Sequence, residues 1–94
     1  MNQITIKQIQ AQIERLNQLT GNPLTPYTRG DDGKLHGNVG NFHLSQAYGG
    51  VCVHRMANDC GGVTTPIFHG HRPKREAFGL LVAYIAGIES TRNA

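Results

Sequence analysis

The sequence predicts an α+β domain of order α-β-β-β-α, in which a three-stranded antiparallel sheet carries both helices on one face. Three observations lead there: an apolar stripe of helical period near the N-terminus, a second near the C-terminus, and glycine-punctuated alternating segments between them. A chain of 94 residues makes a single domain, 1–94, with one modest core.

Ile6, Ile9, Ile13 and Leu16 recur at steps of three, four and three, and Leu19 extends the same stripe. Thr5 followed by Gln8 reads as a capping box, and Gly21 with Pro23 as the stop. Two heptads are too few for a coiled coil, so this helix is expected to pack on the domain's own sheet.

Residues 21–40 are rich in glycine and proline and contain Asp31-Asp32-Gly33, the composition of turns, and read as a surface connection. Such a length is uncommon in a compact domain, so part of it is expected to pair as an edge strand or to cover a surface. Val39 to Gln46 and Val51 to Ala57 then form a hairpin through Ala47-Tyr48-Gly49-Gly50. Asn58 to Gly62 makes a second turn into a third strand, Val63 to Phe68, which Pro66 assigns to a sheet edge because it has no N–H to donate. Pro73 suits a helix start, and Ala77, Leu81, Tyr84 and Ile88 form the second stripe, widened by Phe78, Leu80 and Ile85. Residues 90–94 read as a frayed tail.

Composition limits the function classes. Apolar residues at 38% with a net charge of +3 exclude the disordered class, and the longest apolar stretch, Ala77 to Ile88, is shorter than the ~20 residues of a membrane span. The N-terminus lacks the basic-then-apolar pattern of an export signal, so a cytoplasmic protein without a membrane partner is expected, with Cys52 and Cys60 as reduced thiols.

Positive charge concentrates at Arg72, Lys74 and Arg75, where His71 adds to it below neutral pH. Cations at a helix start oppose the macrodipole, a disadvantage that a bound phosphate or carboxylate would offset. A solvated turn partly compensated by Glu76 is the plain alternative. Tyr48 in the hairpin turn can stack on a base or anchor a protein interface, with Gly49 and Gly50 allowing close approach, or it can fold back over the sheet. Together with Arg55, these residues make the expected partner- or anion-binding surface: Tyr48, Arg55, His71, Arg72, Lys74 and Arg75.

Cys52, His54, Cys60, His69 and His71 are zinc-ligand types, yet no Cys-x-x-Cys knuckle is present, and Cys52 meets His54 on one side only if Val51 and Val53 take the core side. A small zinc domain is therefore a minor alternative, and no cofactor is expected. No nucleophile signature accompanies either cysteine, and Asp31 and Asp32 read as turn formers, so no enzyme is expected. The small residues Gly79, Ala83 and Ala86, with the proline-marked edge, suggest a homodimer.

The segments Gly40-Asn41-Phe42-His43-Leu44-Ser45, Ala47-Tyr48-Gly49-Gly50-Val51 and Arg72-Pro73-Lys74-Arg75-Glu76 resemble a group of small uncharacterised proteins of tailed bacteriophages and prophages, over roughly residues 16–88. The resemblance brings no activity with it. It implies a phage accessory protein in the bacterial host cytosol that binds, and inhibits, a host protein or protein–nucleic acid complex. The element order is also that of double-stranded-RNA-binding domains, with Lys74 and Arg75 at a similar place. Direct binding of nucleic acid or a nucleotide anion is thus the alternative, although the turn here is shorter and lacks the Gly-Pro and His of those domains.

Overall fold

The structure, a computed structural model, describes residues 3–92. It is an α+β fold of seven elements: α1 (Ile6–Thr20), β1 (Tyr27–Arg29), β2 (Leu35–Gly37), β3 (Phe42–Ala47), β4 (Gly50–Met56), β5 (Val63–Thr64) and α2 (Lys74–Arg92). The β3-β4-β5 sheet is antiparallel, and β1 pairs with β2 in a separate two-stranded sheet.

α1 begins and ends where its caps require. Thr5 and Gln8 form the capping box, and Gly21 closes the helix at φ 70°, where its N–H reaches back to the Asn17 and Gln18 carbonyls. Ile9, Ile13 and Leu16 are buried against the sheet.

In β3 and β4, Phe42 pairs with Arg55, Leu44 with Val53 and Gln46 with Val51, so these six share one face. Phe42, Val51 and Val53 join the helical residues Ile9, Ile13, Leu16, Ala77, Leu81 and Ile85 in one core, with Leu44, Phe78, Tyr84 and Ile88 packed against it. Both helices therefore cover this face. His43 paired with His54, and Ser45 with Cys52, occupy the other.

Asn17 joins α1 to the sheet edge. Its buried side chain donates from Nδ2 to the Phe42 carbonyl at 2.9 Å and accepts the Phe42 N–H at Oδ1 at 2.8 Å. One amide thus does for Phe42 what a neighbouring strand would do.

Three elements differ from the sequence reading. The 21–40 connection contains the β1-β2 hairpin, closed by a turn at Gly33 (φ 77°) in which Asp32 accepts from the Lys34 N–H and from His36. The hairpin is anchored to the rest of the fold by the Gly37 N–H bond to the Asp59 carbonyl, and the Asn38 N–H bond to the Pro26 carbonyl extends its own ladder, so this stretch is ordered without a regular hydrophobic pattern. The third strand is shorter than Val63 to Phe68: pairing covers Val63 and Thr64, the chain leaves the sheet around Pro66, and it returns at Arg72, which exchanges both backbone bonds with Val51. Helix α2 continues through Arg92, so residues 90–92 of the expected tail are helical, and 93–94 lie outside the described residues.

Candidate functional site

The β3-β4 turn places Tyr48 and Gly49 at its centre with φ of 54° and 73°, both left-handed, as a two-residue turn of type I′ requires. Glycine adopts this conformation freely, but tyrosine does so at a cost of about 1–2 kcal/mol. Tyr48 is nevertheless 97% exposed. Its ring stands edge-on to His71, with centroids 5.8 Å apart.

His71 reaches this position through the Arg72–Val51 bridge, which lays residues 71–72 along β4. Gly50 permits the approach, because a Cβ there would stand 2.8 Å from the Arg72 carbonyl oxygen. From the bridge, the His71 Nε2 meets Ser45 Oγ at 3.0 Å, and the His71 ring faces His54 at 6.3 Å. His54 in turn faces His43 at 5.7 Å, completing an edge-to-face row of four rings across the sheet side that carries no helix.

The electrostatics of the row follow from its neighbours. Burial, and then the adjacent His54 imidazole, hold the His43 pKa below the ordinary imidazole value, against the opposing pull of its bond to Asn41. Burial, and then His71, lower His54 in the same direction. None of the three imidazoles has a carboxylate within ion-pair distance among the described residues.

Of the six residues expected to form one surface, Tyr48 and His71 are in contact. Arg55 is elsewhere, because its register puts it on the helix side with its guanidinium carbon 5.6 Å from the centre of the Phe42 ring. Arg72 turns toward α2, bonding the His69 carbonyl at 3.3 Å and the Glu76 carboxylate at 3.4 Å. Lys74 lies below the tip, lining a groove of about 390 Å³ with Ile6, Gln46 and the Gly49-Gly50 backbone. Lys74 and Arg75 together line another recess beside Ile4, at the start of α1. Lys74 thus flanks the tip on the side opposite the imidazole row, and Arg75 lies farther along, beside the start of α1.

The zinc set is not assembled. His54 and His71 are neighbours, but Cys52 is sealed beneath the Phe68 carbonyl, Cys60 is exposed beside Asp59, and His69 bonds Thr65. Among the described residues no group of three or more His, Cys, Asp or Glu side chains is placed to hold a metal ion. Burial also pushes the Cys52 thiol up, the direction opposite to that of an activated nucleophile. Sequence reasoning did not include His43 or Ser45 in the site. The signal was the period-two match of His43 with His54 across the Ala47-to-Gly50 turn, which requires the register to be known.

No family model matches the chain, and neither curated proteins nor solved structures give a significant match. Among the described residues no helix is long and apolar enough to cross a membrane. The fold and the site define an α+β protein with one helix-covered sheet face, one ring-bearing face and an exposed aromatic tip.

Proposed function

We propose that this chain is a non-enzymatic binding protein that docks on a macromolecule of a bacterial host through the Tyr48 tip and the adjacent imidazole face. In keeping with the sequence resemblance, it acts as a small phage-type accessory protein in the host cytosol, and docking inhibits the host component. One observation carries the reading: a large aromatic ring is fully offered to solvent from a backbone position that disfavours it. Strain retained without a packing benefit points to a use outside the fold, and exposed tyrosines on rigid turns make effective contact anchors.

The imidazole in contact with Tyr48, His71, bonds the Ser45 hydroxyl but has no carboxylate at ion-pair distance among the described residues to orient it as a base, and the Cys52 thiol is buried, which favours binding over catalysis. The test is affinity capture from bacterial lysate with the native chain and with Tyr48→Asn, each with and without nuclease. Loss of a specific partner in the variant is expected, and equal capture by both would remove the reading.

A further inference from the structure

We infer that the row Tyr48, His71, His54 and His43 is a stacking platform for single-stranded nucleic acid. The inference rests on the reading of this face as the docking surface, and it names the partner. Single strands are bound by aromatic rings that stack on bases, combined with cationic or hydrogen-bonding groups that meet phosphates, commonly on an open sheet. This face has both. Four rings follow one another at 5.8, 6.3 and 5.7 Å, beginning with the exposed Tyr48. Ser45 and His71 bond each other and His43 Nδ1 bonds Asn41, which leaves the remaining ring nitrogens and the Tyr48 phenol to meet phosphates along the same line.

A tight protein interface needs a desolvated apolar centre. The ring row lacks one, since Cys52 and Met56 beneath it are buried and the exposed aliphatic side chain paired on this side, Val63, lies at the far end on β5. No carboxylate pairs with the three imidazoles among the described residues, so no acidic partner on this face repels a polyanion, and Lys74, on the other side of the tip beside the Gly49-Gly50 backbone, is within reach of a strand that rounds the turn.

The titratable groups on this face are His43 from β3, His54 and the buried Cys52 from β4, His71 from the returning segment, and Tyr48 at the turn. Arg72 is the fixed charge next to His71 and is turned toward Glu76. Burial holds the His43 and His54 imidazoles below their ordinary value, and a phosphate backbone laid over them would favour their protonation. By linkage, strand binding takes up protons and tightens as pH falls from about 6.5 toward the depressed values.

The test is fluorescence anisotropy with a labelled oligothymidine of about 12 nucleotides, within the range that one small domain spans. Binding is measured near pH 7.5 and pH 6, about one unit and half a unit either side of the ordinary imidazole pKa, at low and moderate salt. The expected result is saturable binding that tightens several-fold at the lower pH and weakens about tenfold in Tyr48→Asn, the loss of one stacked base. The triple variant His43→Gln, His54→Gln, His71→Gln should lose the pH dependence, and circular dichroism of each variant checks folding. Polyglutamate of matched charge and a DNA duplex should bind at least tenfold more weakly, because neither offers unstacked bases. Equal binding of polyglutamate, an unchanged Tyr48→Asn affinity, or no oligothymidine binding at low salt and pH 6 would each overturn the inference. If oligothymidine fails while Tyr48→Asn still loses a nuclease-resistant partner from lysate, the docking surface stands and only the nucleic-acid assignment falls.

Discussion

Replacing Tyr48 by asparagine should leave the protein as stable as before or more stable, while removing the group that binds. The turn holds residues 48 and 49 at φ of 54° and 73°, and Asn-Gly is the pair that a type I′ turn prefers. Relief of the left-handed conformation is worth up to about 1 kcal/mol, since asparagine tolerates it and tyrosine does not. Against this stands the edge contact of Tyr48 with His71, worth about 0.5–1.5 kcal/mol in a buried setting and much less for a ring that is 97% exposed. The net gain is therefore about 0.5 kcal/mol, or a rise in melting temperature of about 2–4 °C for a domain of this size. Thermal unfolding followed by circular dichroism measures it. A loss of more than about 1 kcal/mol would refute the reasoning, because it would show that the ring supports the fold and is not held out for a partner.

Other predictions address the fold and its protonation. Leu81→Ala should destabilise by about 2–5 kcal/mol in urea titration, because Leu81 is fully buried between α1 and the sheet, and a loss below half a kcal/mol would show that α2 is not a core element. Asn17→Ala should lose about 2–4 kcal/mol, since it strands the buried N–H and carbonyl of Phe42 at once, and Asn17→Asp should keep only the acceptor half. Stability should fall on acidification: the folded state holds His43 and His54 below the ordinary imidazole value of about 6.5, so the unfolded chain takes up protons first. The contribution is complete above that pH and is lost as pH drops toward the depressed values. Urea midpoints measured across this range for the native chain and for His54→Gln should show a smaller slope in the variant.

What the sequence by itself determined is the part governed by local period and local backbone chemistry. The stripe Ile9, Ile13 and Leu16 needs one face of a helix whatever it packs on, Thr5 with Gln8 and Gly21 fix its ends, and Gly49-Gly50 allow a tight turn between two alternating segments. These follow from interactions a few residues long, and so did the α+β class. The tertiary structure decided which side each strand residue faces and what lies beside it. The β1-β2 hairpin has no period to announce it, because its own ladder and the backbone bond from Gly37 to Asp59 hold it in place of a buried stripe. The candidate surface divided for the same reason: Arg55 and His54 are adjacent in sequence, yet the pleat sends one to the Phe42 ring and the other to the imidazole row. His71 joined that row through pairing of Arg72 with Val51, 21 positions apart, a contact fixed by loop closure around Pro66 and not by any local preference.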